Sequence, residues 1–342
     1  MSRDGVAFQA VAAPLSGIGP GDDRLFRDGA FVAGNDADVD VGLRVLAAYG
    51  AGAAVNLAAG LLPSPVREGS RKLRAAAVAA STCALAIPFF LDAPPVFRAV
   101  QAAVLGTLFF RVVEIARAPW CYGRRERVAR MLLVHDTRLM KPVPRSLPVG
   151  ALLAGTIFLI SGILVFDASA RFAPPTLPYA LAGWPRWLTA AAGSYLLIEG
   201  VSRILIAAVR PFGWEHEAVQ RSPVLSRTLA EFWGLRWNRV IGRLLRRNCF
   251  EPLARRGAPM LGVLLAFAVS GLLHFYLVLP AAGLVPAIWI GSFFAVHGIL
   301  CLVETRLAVR RWPAVAGHAF VVAAFVATIP LFSEPLLRCF MR

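Results

Sequence analysis

Long apolar runs separated by short basic stretches dominate the chain from about residue 41 onward, whereas the first forty or so residues mix Gly, Asp and Ala without helical period. Eight runs approach the roughly 20 residues that an α-helix needs to cross about 30 Å of hydrocarbon. They lie at residues 42–62, 73–91, 95–117, 147–166, 186–209, 259–280, 284–303 and 313–331. The expected architecture is all-α: a polytopic integral membrane protein of about eight transmembrane helices, one domain over residues 41–342 behind a polar leader at 1–40. The leader carries Asp22, Asp23, Asp28, Asp36, Asp38 and Asp40 and no continuous apolar core, so it is not read as a cleavable signal, and the first span is expected to target the chain.

Composition strengthens this picture. With 58% hydrophobic and 16% charged residues, the chain departs from the balance of ordinary soluble domains. Its formal charge of +16 is almost wholly arginine, since Lys72 and Lys141 are the only lysines. The basic residues fall in alternate loops: Arg67 to Arg74, the stretch after Arg117, the stretch after Arg210, and Arg306 to Arg311. The loops between them are poor in Lys and Arg, which puts the basic loops in the cytoplasm and, for eight spans, both termini outside. The charge is thereby explained without nucleic acid. Arginine- and alanine-rich usage points to a GC-rich bacterial source and so to a bacterial cytoplasmic (inner) membrane. Five scattered cysteines with no C-x-x-C spacing read as packing residues.

Two basic loops exceed ordinary connectors. The first, 117–147, contains His135 and Asp136, read as a solvated turn. The second, 210–257, carries Glu215-His216-Glu217, which is not a zinc-binding H-E-x-x-H because position 220 is Gln. From Thr228 to Arg247 it reads as a cytoplasmic-side amphipathic or re-entrant helix, opened by the capping box Thr228-Leu-Ala-Glu231. At about 100° per residue its side chains sort into three stripes. Trp233, Trp237, Val240, Ile241 and Leu244 are apolar; Arg236, Arg239, Arg243, Arg246 and Arg247 are cationic; Asn238 shares the third with Gly234 and Gly242, where a ligand or another helix could approach. In the next span Phe267, Ser270, Gly271 and His274 share a face by i, i+3, i+4 spacing. A histidine within a span is by default a functional candidate, and burial favours its neutral, proton-accepting form. The alternative for both Asn238 and His274 is a structural hydrogen bond.

Glu231-Phe-Trp-Gly-Leu-Arg-Trp-Asn-Arg239, then Phe250-Glu-Pro252 and Val269-Ser-Gly-Leu-Leu-His274, resembles the wax synthase branch of the membrane-bound O-acyltransferase superfamily, most closely over the motif region 222–280. The resemblance implies an internal substrate tunnel and acyl transfer from acyl-CoA, a co-substrate, to the hydroxyl of a lipophilic alcohol, with no cofactor and no metal. It makes His274 the general base and Asn238 its companion, able to orient the acyl group or donate to an oxyanion. Trp233, Arg236, Trp237, Arg239, Ser270 and Gly271 are the expected substrate-binding residues, the arginines for CoA phosphates. Plant-type wax synthases usually carry an acidic residue after the histidine. Here Phe275 stands there, so the resemblance brings no carboxylate partner for His274.

The remaining intramembrane polar residues have a blander reading: Glu199 with Arg203 and Arg111 with Glu114 as ion pairs, His297 and His318 as packing or interhelix hydrogen-bond residues. A competing reading is a transporter or lipid flippase using intramembrane His, Glu and Arg. It gives no reason to pair a Trp-Asn segment with a His span. His274 lies about fifteen residues, or roughly 20 Å, past the basic end of its span, so it can approach Asn238 only if the Trp-Asn segment dips into the membrane or a tunnel breaches it.

Overall fold

The computed structural model describes residues 35–61, 70–117, 131, 140–171 and 179–340. The chain divides into two units, residues 1–40 and 41–342, and the second carries the helical bundle. Most of the leader, Cys121 and the His135-Asp136 turn lie outside the described residues.

The apolar runs form helices: α1 (Asn35–Leu61), α2 (Ser70–Ala84), a short α3 (Ile87–Phe90), α4 (Pro95–Arg117), α5 (Val149–Arg171) and α6 (Tyr179–Ala208). Among the described residues, seven helical segments are long and apolar enough to cross a membrane, with α2 and α3 together forming one of them. Helix α1 occupies the place of the first expected span but is not among the seven. In the carboxyl-terminal half come α7 (Leu229–Glu231), α8 (Arg239–Leu245), α9 (Glu251–Ala254), α10 (Pro259–Ala282), α11 (Leu284–Arg306) and α12 (Ala314–Phe340). One feature is not helical. Met140–Pro142 pairs antiparallel with Trp214–His216, tying the two basic loops together.

Helices in lipid gain little from hydrophobic burial against one another, so close packing and polar pairs hold them. Helices α5 and α6 meet along glycines spaced seven apart. A Cβ on Gly162 would lie 2.6 Å from the Leu197 nitrogen, and one on Gly200 2.5 Å from the Leu159 nitrogen. Buried Glu334 of α12 joins that hairpin to the rest. It accepts from Trp187 Nε1 (3.0 Å) and pairs with Arg186 and Arg338. The pairs Arg203–Glu199 (2.7 Å) and Arg111–Glu114 (3.2 Å) form as the spacing suggests, and Arg247 also reaches Glu114. Cys249, Cys301 and Cys339 are buried as reduced thiols.

The central cluster joins α4, α10, α11 and α12 through Ala99, Val278, Ile290, Phe293, Phe294 and Cys339, with Trp233 packed against it. The start of the Trp-Asn segment is fixed to this bundle at three points. Glu304, buried near the end of α11, accepts hydrogen bonds from the Leu229 and Ala230 backbone N–H groups. His318 Nδ1 donates to the Ser226 carbonyl (3.0 Å), and a Cβ on Gly317 would lie 2.7 Å from the Arg227 carbonyl. Two backbone donors thus depend on one carboxylate. Replacing Glu304 by Ala would leave both unpaired at about 1–3 kcal/mol each. Thermal unfolding in detergent should show Glu304→Ala strongly destabilised and Glu304→Gln, which keeps an acceptor oxygen, intermediate.

Candidate active site

The Trp-Asn segment is not one continuous helix, and this corrects the three-stripe reading. Thr228 caps α7 as expected, its Oγ1 accepting from Glu231 N at 2.9 Å. The chain then widens into a π-helical turn, Phe232–Arg236, closed by Trp237 N–H to the Phe232 carbonyl (2.8 Å). At Asn238 it turns into the left-handed region, with φ 33° and ψ 63°, before α8 begins. The extra residue in the turn and the left-handed step reset the helical angle. Asn238 therefore sits at a kink, not on a glycine-lined face. Asparagine suits the position twice over: it tolerates left-handed backbone, and its Oδ1 accepts from Ile241 N (3.3 Å) as the cap of α8. Its Nδ2 makes no hydrogen bond among the described residues.

A kink frees backbone donors and acceptors that must be paired. The non-helical stretch 219–221 pairs them. Arg221 N donates to the Arg236 carbonyl (2.9 Å), and Arg239 N donates to the Val219 carbonyl (2.9 Å). Between them, Asn238 N donates to the side-chain Oε1 of Gln220 (2.9 Å).

The kink also sends the two tryptophans apart. Trp237 stacks on Phe232 (centroids 5.6 Å apart) and on Tyr195 of α6 (6.2 Å). Trp233 enters the bundle between Phe267, Phe294, His297 and Phe325. Its Nε1 donates to His297 Nδ1 (3.2 Å); His297 Nε2 donates to Thr328 Oγ1 (2.9 Å), which in turn donates to the Ala324 carbonyl (2.8 Å). Phe267 lies eight residues into α10 and Phe294 twelve before the end of α11, about 12 and 18 Å along the helix axes. The Trp233 side chain therefore reaches into the bundle from the basic side.

His274 lies at the other end of this aromatic path. Its ring packs on Phe294 (centroids 4.1 Å apart), which contacts Trp233. The seam beside it is tight, since a Cβ on Gly271 would lie 3.1 Å from the Gly291 carbonyl. Gly271 thus brings α11 close to the imidazole. His274 Nδ1 donates to the Ser270 carbonyl (2.8 Å). A carbonyl can only accept, so the proton sits on Nδ1 and the neutral ring presents a lone pair at Nε2. The backbone of its own helix thus orients the ring where Phe275 offers no carboxylate. His274 and Asn238 do not hydrogen-bond each other; Trp233 and Phe294 link their elements.

Residues 216–296 match the membrane bound O-acyl transferase family. Among similar proteins, Probable long-chain-alcohol O-fatty-acyltransferase 2 of Arabidopsis thaliana is 34% identical over 143 residues, covering 37% of this chain and 40% of the relative. Long-chain-alcohol O-fatty-acyltransferase of Simmondsia chinensis is 34% identical over 92 residues, covering 24% and 26%. Acyl-CoA–sterol O-acyltransferase 1 of Arabidopsis thaliana is 27% identical over 159 residues, covering 42% and 46%. The matches to these relatives span less than half of their length.

Within the matched region the arginines are engaged inside the protein. Arg236 donates through Nε to Glu231 (2.7 Å) and through one terminal nitrogen to the Arg221 and Ser222 carbonyls. Arg239 and Arg243 share Glu217 Oε2 at 2.6 and 2.8 Å. The Arg243 hydrogen bond, with Arg239 beside it, holds the Glu217 carboxyl below its ordinary value. Burial pushes Glu231 up, but the Arg227 N–H and the Arg236 guanidinium outweigh it and leave it lowered. Sequence reasoning did not single out Gln220, Glu217 or Glu304 for the site. Only the spacing of carboxylates among so many arginines could have pointed to the last two.

These carboxyls are depressed in the folded state. Their contribution is complete above the unfolded value of about 4.3 and is lost as pH falls through the folded values. Amide exchange at Arg221, Asn238 and Arg239, corrected for intrinsic rate, should be unchanged near pH 6 and accelerate below about pH 4. The kink itself is tested by substitution. Asn238→Ala loses both cap and left-handed tolerance and should cost about 1–3 kcal/mol, whereas Asn238→Gly should stay within a few tenths of a kcal/mol of wild type. Equal Tm values for the two variants would contradict the geometry.

Proposed function

We propose that the protein is an acyl-CoA-dependent O-acyltransferase of the wax synthase type, which esterifies a lipophilic alcohol within the bilayer. The observation that carries this reading is the Nδ1–H of His274 held on the Ser270 carbonyl, with Nε2 left as a base. Nε2 takes the alcohol proton as the oxygen attacks the thioester carbonyl. The tetrahedral intermediate collapses, the carbon–sulfur bond breaks, and the proton passes from Nε2 to the departing thiolate, giving ester and CoA thiol. Asn238 Nδ2 is the donor for the acyl carbonyl, whose oxygen gains negative charge in that step. Trp233, Trp237 and Ser270 shape the path of the acyl chain around the two groups, and Gly271 sets α11 against the imidazole. The names of the relatives, long-chain-alcohol and sterol acyltransferases, support a fatty or sterol-like acceptor.

CoA approaches from the basic, cytoplasmic side. Arg236 and Arg239 meet its phosphates by exchanging their carboxylate partners, Glu231 and Glu217, for phosphate oxygens. The matched relatives named above are plant proteins, so the compositional case for a bacterial inner membrane gains nothing from them.

The test is acyl transfer by purified protein from labelled acyl-CoA to a panel of alcohols, with His274→Ala alongside. Labelled ester should form with wild type and fall by at least about 100-fold in the variant. A folded His274→Ala protein with wild-type turnover would remove the base from this scheme. The companion measurement is Asn238→Gly, which should lower kcat more than it raises the acyl-CoA KM.

A further inference from the structure

Gln220 lies in the stretch that templates the kink and is 6% exposed. Its Oε1 is committed, accepting from Asn238 N at 2.9 Å. Amide oxygen and nitrogen are often interchangeable by eye, but a backbone N–H can only donate, so the group facing Asn238 must be the oxygen. The Nε2 amide is thereby fixed on the other side, where it is buried and has no hydrogen-bond partner. A buried unpaired donor costs about 1–3 kcal/mol, and such groups mark an absent partner or a functional role. The missing partner must be an acceptor. A neutral amide beside Asn238, itself carrying an uncommitted Nδ2, makes a pair of neutral donors on one kink, a chemistry that suits a carbonyl oxygen.

We propose that Gln220 is a substrate-contacting residue whose Nε2 donates to the acyl carbonyl oxygen of the thioester, while its Oε1 holds Asn238 in place. This deepens the acyltransferase reading and rests on it. The division of labour within one side chain follows from the bonds already made. Val219 and Arg221 fix the backbone on either side of Gln220, Asn238 N–H fixes the amide plane, and one donor remains for the ligand.

The experiment compares two inert acyl-CoA analogues: an S-alkyl-CoA thioether with no carbonyl, and an S-(2-oxoalkyl)-CoA of equal chain length that retains one. Dissociation constants are measured for wild type and Gln220→Met in the same detergent. Wild type should prefer the ketone, and Gln220→Met should lose about 3- to 10-fold of that preference, beyond any loss of thioether affinity that follows from freeing the Asn238 N–H. Equal loss for both analogues would make Gln220 a scaffold residue only and overturn the proposal, as would an unchanged preference, which would leave the amide to a buried water. If wild type binds neither analogue, the acyl-CoA reading itself fails and the assignment falls with it. Gln220→Glu gives a second reading should Gln220→Met not fold, because it keeps the acceptor for Asn238 N–H and removes the donor. Its turnover should fall by about 100-fold and recover relative to wild type as pH drops and the introduced carboxyl regains a proton. Wild-type turnover in Gln220→Glu at neutral pH would equally overturn the proposal.

Discussion

A helix that breaks where the chain enters a membrane protein's interior must find partners for every backbone group the break releases, because lipid supplies none. The kink at Trp237 and Asn238 meets this constraint by borrowing a non-helical stretch, 219–221, as a template. Much of the site depends on it. The left-handed step at Asn238 aims Trp233 into the bundle and Trp237 toward Tyr195, and starts α8 under an asparagine cap. Without the template, the segment would hold unpaired donors and acceptors at the edge of hydrocarbon, and a straight amphipathic helix on the surface would be the better solution.

Charge plays a comparable part. Glu304 takes up the first N–H groups of α7, Glu231 and Glu217 neutralise arginines that flank the kink, and Glu334 fastens α12 to α6. Each carboxylate is met by more than one donor, the condition under which a buried charge is tolerated. The cationic stripe is therefore an internal scaffold before it is a surface for phosphate. Around the kink and the His span, His274 Nε2, Asn238 Nδ2 and Gln220 Nε2 are left over among the described residues. They gain chemical meaning because their sister atoms are used up.

The aromatic path from Trp233 through Phe294 to His274 joins the two halves of the motif. Its rigidity comes from His297, whose two ring nitrogens are both engaged, fixing one tautomer and holding the Trp233 indole. The tight Gly271–Gly291 seam brings Phe294 against the catalytic candidate. Gly271 beside the imidazole is thus a point of close helix contact and not an open space.

The sequence alone determined the membrane class, the helical spans and the pairing of a Trp-Asn segment with a His span. Hydrocarbon thickness and helical rise leave little choice once apolar runs of about 20 residues are present, and i, i+4 pairs such as Glu199–Arg203 are set by local geometry. His274 and Asn238 were legible as isolated polar groups in places where polar groups are costly. Their orientation was not. That the Thr228–Arg247 run kinks, that Gln220 turns its oxygen to Asn238, and that Glu304 reaches the start of α7 from 75 residues away are decided by contacts between elements distant in sequence. Periodicity describes one helix at a time. A left-handed residue whose backbone is paired by a remote non-helical stretch obeys no period, and only the folded chain could place it.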